Sequence, residues 1–193
     1  PDFRLIIMSA TIDLKFFANY YAKIPNIKYN SIDVGTATLY PIKDIYANKP
    51  VSNWKKTVIE LIRIILLTTK KGDILVFGRS MSDGINICTD LAREIDKYNK
   101  ITNKSVKGYI KELDNFTIVE STKTIIDTLN PFCTQLASGI DKQKEELAVS
   151  ETEYLRVFNG KYYRKIVVAT NVAESSITVN GVKYVIDIGL EYT

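Results

Sequence analysis

The sequence predicts an α/β fold in which helices flank a mostly parallel sheet. Three observations lead there. Short continuous apolar runs recur at residues 5–8, 73–77, 132–138, 165–169 and 182–187, and runs of that length without alternation read as strands buried on both faces. Longer segments between several of them place apolar residues at three- and four-residue spacing, as helices do. The first four runs each end in a short polar turn: Ser9-Ala10-Thr11, Gly78-Arg79-Ser80, Ser138-Gly139 and Thr170-Asn171. Strands that alternate with helices of this length build parallel sheets.

The elements follow in order. Asp13 caps a helix that reaches about residue 21. Residues 26–48 read as strands and turns around Tyr40-Pro41-Ile42. From Asn53 a helix runs to about residue 69, with Val58, Leu61, Ile62, Ile65 and Leu66 on one face. Lys70-Lys71-Gly72 closes it with a basic last turn and a glycine cap. Ser82 or Asp83 opens the next helix, to about residue 98, and Ile87, Leu91 and Ile95 face inward. Residues 99–131 are polar and lysine-rich and read as an insertion, with a short helix expected near 122–129. Asp141 opens a helix to about residue 158.

Composition narrows the function. Of 193 residues, 46% are hydrophobic and 25% charged, which excludes a disordered chain. The longest apolar run, 61–67, is interrupted by Arg63 and is too short to cross a bilayer. The first residues do not form a signal peptide. There is no histidine, and Cys88 and Cys133 stand far apart. That excludes a zinc site and triad or His-based acid/base chemistry, and reads as two lone thiols in a reducing compartment. The net charge of +4 is compatible with a nucleic-acid partner without establishing one. Heavy use of Ile, Lys, Asn and Tyr points to an AT-rich viral or microbial genome.

In open parallel sheets ligands bind outside the carboxyl ends of the strands. Hydroxyls, amides and backbone N–H groups placed there reach phosphates. The same residue types cap helices, and taken singly each segment reads as a cap rather than a site by roughly two to one.

Longer stretches break that tie. Residues 4–11, ending in Ser9-Ala10-Thr11, resemble motif III of superfamily 2 helicases. Residues 164–189 are similar to the motif V strand and loop of the DEAH/DExH-box helicases, with Ala-Thr-Asn, Ala-Glu, Ser, Thr and Asp-x-Gly at that family's spacing. Residues 72–77 resemble motif IV. Residues 132–138, with Gln143 and Val157-Phe158, resemble the motif IVa region. The order is the helicase order, and the likeness covers most of the chain apart from 99–131.

The resemblance implies a RecA-like lobe of the P-loop NTPase type. It implies that 1–12 are the last strand and motif III of a first lobe, 13–38 an inter-lobe connection, and 39–193 a second lobe ending before motif VI. It implies part of an ATP-dependent RNA helicase that couples hydrolysis to translocation and unwinding, this chain supplying one wall of the ATP cleft and half of the nucleic-acid channel. Ser9, Ala10 and Thr11 would couple hydrolysis to strand movement. Thr170 and Asn171 would lie on the nucleic-acid backbone. Arg79 and Ser80 would reach a phosphate, a solvent-facing Arg79 being the equal alternative. Ser176 would sense nucleotide state, and Thr178 and Asn180 approach the ribose, with Asn180 standing where Asp is usual. Asp187 belongs to Asp-x-Gly, and Leu190 stands where an aromatic ring commonly packs on the base.

No phosphate loop, no Asp-Glu-x-His segment and no motif VI is present, so no catalytic set is complete. ATP and Mg2+ are expected in a parent protein and not on this chain, which is expected to hydrolyse no ATP. The expected partners are single-stranded or duplex RNA, with DNA left open, and the first lobe of the same parent, with no membrane. The expected location is cytoplasmic or nuclear. Any dimer is expected to follow from excision, because the strand at 5–8 would lack its neighbours. Two alternatives stand beside this reading: a non-catalytic RecA-like module for nucleic acid or protein, and a DNA helicase lobe.

Overall fold

A computed structural model of the chain describes residues 4–8, 13–25, 27–32, 41–101, 128–170 and 177–189. Contacts divide it into two units, Pro1–Asp44 and Ile45–Thr193.

In the first unit, α1 (Leu14–Tyr21) begins where expected. The Asp13 carboxylate accepts the N–H groups of Lys15 and Phe16 at 2.9 and 3.2 Å, satisfying donors that an open helix end leaves orphaned. None of its residues is buried. The strand expected at 5–8 does not form. Leu5, Ile6, Ile7 and Met8 are all exposed and pair with no described residue. Residues 27–32 and 41–48 likewise form no strand. A strand exists through its ladder, and an apolar run without a partner has none.

In the second unit, β1 (Asp73–Phe77), β2 (Pro131–Leu136), β3 (Arg164–Ala169) and β4 (Val182–Asp187) form one parallel sheet in the order β2-β3-β1-β4. These are the four strands expected to share a sheet. The central pair sets Ile74 opposite Ile166 and Val76 opposite Val168, and every residue of β3 is buried. Pro131, which has no N–H to donate, starts an edge strand.

Alternation divides the side chains between two faces. One face sets Ile74, Val76, Ile166, Val168 and Ile186 against α2 (Trp54–Thr68) and α3 (Met81–Asn99). The other sets Leu136, Val167 and Ala169 against Ala148 of α4 (Lys142–Val149), with Ile177 and Val179 beside them. α3 starts at Met81, one or two residues earlier than expected, because Ser80 is the cap and its hydroxyl accepts the Asp83 N–H at 3.2 Å. α3 also sits close on the sheet: a Cβ at Gly84 would stand 2.9 Å from Gln135 Cγ. At its far end, the Asn99 side-chain amide both donates to and accepts from the Leu129 backbone, at 2.8 and 2.9 Å. The chain therefore leaves α3 and enters β2 at one point, and residues 102–127 lie outside the description.

Three further expectations need correction. The helix expected over 141–158 is two, α4 and α5 (Glu153–Val157), because Ser150 is extended and its hydroxyl accepts the N–H groups of Thr152 and Glu153. The freed Ser150 carbonyl receives the Lys165 ammonium at 2.5 Å. The close of α2 also differs. Thr69 is the C-cap, and Gly72 takes its positive φ of 96° three residues later, where the Lys183 side chain crosses. Last, Cys88 and Cys133 are not lone thiols. α3 and β2 bring their Cα atoms to 5.6 Å and the sulfurs are bonded, a pairing that a separation of 45 residues does not announce.

The foot of β3 carries two buried cations. Arg164 donates to the carbonyls of Ile65, Thr69, Lys71 and Gly72 and to the Thr69 hydroxyl. It thus caps the carboxyl end of α2 and fills the turn into β1. Replacing Arg164 with Met would take this donor from the Thr69, Lys71 and Gly72 carbonyls, so we expect a loss of about 3 kcal/mol or more, read as a lower urea midpoint at unchanged m-value. The Cys88–Cys133 bond closes a loop worth about 4 kcal/mol in the chain-entropy picture. Reduction with dithiothreitol should lower Tm by roughly 5–15 °C, and a Tm that does not move would mean that the bond contributes nothing.

Candidate functional site

Because all four strands are parallel, their carboxyl ends share one edge. There the chain places Ser138 after β2, Thr170 after β3, Arg79 and Ser80 after β1, and Asp187 at the end of β4. Three of these ends are tied together by backbone. The Gly78 N–H donates to Ala169 O at 2.7 Å and the Thr170 N–H to Leu136 O at 3.1 Å. Thr170 is half-buried. Asp187 is exposed, and its carboxylate accepts the Gly189 N–H at 2.8 Å, where φ is +63°. A turn of that shape gives Asp-x-Gly a local structural reason.

Arg79 is not simply facing solvent. Its Nε donates to Asp83 Oδ2 at 3.1 Å, and its guanidinium lies 5.0 Å from the centre of the Trp54 ring. Lys55 Nζ reaches Asp83 Oδ1 at 2.9 Å and stands 5.4 Å from the same ring. Asp83 itself is buried. Burial pushes its carboxyl upward, but the hydrogen bonds and charges of Lys55 and Arg79 outweigh that and hold it below its ordinary value of 3.8. Trp54, Lys55 and Asp83 were not read from the sequence as site residues. Ser80 followed three residues later by Asp83 signals a helix start, but nothing local says that Asp83 takes a partner from α2.

The opposite edge holds Asn180 and Gly181, just ahead of β4. The Asn180 N–H donates to Val149 O at 2.9 Å. With Glu146, Glu151 and Thr152 these residues line an open recess of about 450 Å3. Ile177 and Val179 pack inward, so Thr178 and Asn180 face outward and are exposed. The structure thus puts Asn180 and Asp187 at opposite ends of one strand, and Thr170, Arg79 and Ser80 on the edge that Asp187 shares. Ser9, Ala10, Thr11, Asn171, Ser176 and Leu190 lie outside the described residues. Among the described residues no group of three or more His, Cys, Asp or Glu is placed to hold a metal ion. No described helix is long and apolar enough to cross a membrane.

No protein-family model matches the chain. It is 33% identical over 192 residues to the ATP-dependent RNA helicase HrpA of Borreliella burgdorferi, covering 97% of this chain and 18% of that protein. It is 28% identical over 189 residues to the pre-mRNA-splicing factor ATP-dependent RNA helicase prp22 of Schizosaccharomyces pombe, covering 98% of this chain and 13% of the relative. L540 of Acanthamoeba polyphaga mimivirus, provisionally named an ATP-dependent RNA helicase, is 29% identical over 191 residues, 99% of this chain and 22% of its own length. The chain is a relative of ATP-dependent RNA helicases. It spans less than a quarter of each of these three proteins.

In this helicase relative the Asp83 cluster should make a pH-dependent contribution to stability. A carboxyl whose folded pKa is depressed stabilises above its unfolded value and loses that contribution as pH falls through the folded one. Asp83→Asn should therefore cost about 1–3 kcal/mol at neutral pH, with the difference from wild type shrinking below pH 3.8. Urea melts at pH 7 and in steps below 4 measure it. A cost independent of pH would mean that the carboxylate charge is not what stabilises.

Proposed function

We propose that the chain is the second RecA-like lobe of an ATP-dependent RNA helicase and contributes one wall of its ATP cleft and half of its nucleic-acid channel. The observation that carries this is the shared carboxyl edge. Arg79, Ser80 and Thr170 arrive there on adjacent central strands, each next to backbone already fixed by the ladder. Polar groups held on a rigid sheet edge suit a repeating phosphate backbone, because they need no sequence information from it. Thr178 and Asn180, on the other edge, are proposed to face the nucleotide, and Ser176 to belong with them. Ser9, Ala10 and Thr11 are assigned to coupling, and Asn171 to the strand alongside Thr170. Residues 1–12 are proposed to belong to the first lobe, 13–38 to the connection and 39–193 to the second, with 99–131 inserted into it. ATP and Mg2+ would be held mainly by residues outside this chain, and the chain alone is proposed to turn over no ATP. The proposed location is inside the cell, where RNA is the substrate at hand.

The test is binding of oligo-uridine, a mixed-sequence RNA and a DNA of the same length across a salt series. We expect weak, salt-sensitive binding, in the range of about 10⁻⁴–10⁻⁶ M, with no sequence preference. Thr170→Ala together with Asn171→Ala should weaken all RNA sequences alike, by roughly tenfold for two lost hydrogen bonds. Binding untouched by the double change would make these residues caps and nothing more.

A further inference from the structure

We infer that Asp83 is a positioning residue that holds Lys55 and Arg79, from two different elements, side by side on Trp54 as one paired grip for the phosphates of an RNA strand. The inference rests on the reading of the carboxyl edge as an RNA surface and names how that surface is built.

Four observations support it. First, the two oxygens of one buried carboxylate go to two different cations, Oδ1 to Lys55 and Oδ2 to Arg79. A carboxylate meant only to cap α3 would need neither. Second, helix energetics give no reason for Lys55. It stands in the first turn of α2 with Lys56 beside it, where the helix dipole disfavours cations. Third, both cationic side chains remain more than a third exposed, at 37% and 38%. Arg79 engages Asp83 through Nε, and among the described residues its Nη1 and Nη2 edge makes no hydrogen bond. That outer edge is the one that matches a phosphate. Fourth, the Trp54 ring lies about equally near both cations, at 5.4 and 5.0 Å, which restrains their headings. Two cations and one carboxylate leave the cluster net positive. It stands where α2 begins and β1 ends, next to Ser80 on the carboxyl edge.

The alternative is an ionic latch that ties α2 to the loop after β1 and has no ligand. The sign of one variant separates the two. Asp83→Asn removes a negative charge close to the proposed phosphate path. Field effects alone would then tighten RNA binding, whereas loss of positioning loosens it.

The experiment measures anisotropy of a labelled oligo-uridine 12-mer on the full 193-residue chain across a salt series, with a thermal melt of each variant in the same buffer. Lys55→Ala and Arg79→Ala should each weaken binding and flatten the slope of log K against log salt by about 0.7, the value for one single-strand phosphate. Asp83→Asn should weaken binding threefold to tenfold, and Asp83→Glu should restore most of it. The Lys55→Ala/Arg79→Ala double variant should lose less than the sum of its singles, because the grip acts as a unit. It changes only part-exposed groups, so it remains decisive if Asp83→Asn fails to fold. Binding by Asp83→Asn that is unchanged or tighter, or strict additivity of the two cation variants, overturns this inference alone. A wild-type chain that shows no salt-dependent binding overturns the RNA reading and this inference with it.

Discussion

Arg164 and Lys165 are adjacent in sequence, buried, and forced by strand alternation to opposite faces of the sheet. Much of the domain is indexed to that pair. On one face Arg164 donates to the carbonyls of Thr69, Lys71 and Gly72 beyond the end of α2, and to that of Ile65, which also accepts the Thr69 N–H. Its guanidinium also stacks 5.1 Å from the Tyr184 ring of β4. On the other face Lys165 donates to Ser150 O, its ammonium lies 3.7 Å from Asp73, and its own N–H donates to Asp73 Oδ1 at 2.9 Å. Burial pushes both cations below their ordinary values and Asp73 above its own. Isolated, such charges would be costly; here carbonyl dipoles and one carboxylate replace the lost water. The end of α2, the start of β1, the break between α4 and α5 and the edge strand β4 all meet at this one point.

Fixing the amino edge in this way leaves the carboxyl edge to loops, where function concentrates in parallel sheets. α2 connects the two edges. Arg164 holds its last turn, and Asp83, through Lys55, holds its first. A helix pinned at both ends places Trp54 and Lys55 beside Arg79 with little freedom, although Arg79 lies in a loop. Gly84 adds to this by letting the start of α3, and with it Asp83, settle against β2 and β3.

Strands β1 and β4 were legible to the residue because each is apolar, short and preceded by glycine, Gly72 and Gly181, at positive φ. Helix α2 was legible within a residue from its spacing and its Asn53 cap. What was not legible depends on partners distant in sequence. Ser150 breaks a helix whose local propensity continues, and its carbonyl meets a lysine fifteen residues on. The cysteine pair requires knowing that α3 lies on β2. The burial of the Arg164 and Lys165 side chains themselves has no local signal, since cations are rarely buried whole. Residues 5–8 failed the other way, a strand-like run with no ladder to join. In the candidate site, Ser80 and Thr170 were visible from their positions after apolar runs. Lys55 was hidden because it stands on the helix before β1 and converges with Arg79 only in three dimensions.

A parallel connection must carry the chain from the carboxyl end of one strand back to the amino end of the next. Between β3 and β4 this return has Thr170 at one end and Asn180 at the other, with Ile177 and Val179 packed on the sheet near its close. If Thr170 contacts RNA and Asn180 faces the nucleotide, both contacts belong to one uninterrupted stretch of backbone, anchored by the Thr170 N–H to β2 and by the Asn180 N–H to Val149 at the end of α4. Motif V of the helicases is read in sequence as a list of polar residues. In this chain the described ends of the stretch that resembles it, Thr170 and Asn180, stand at opposite edges of the sheet, so their separation along the sequence is matched by a separation in space.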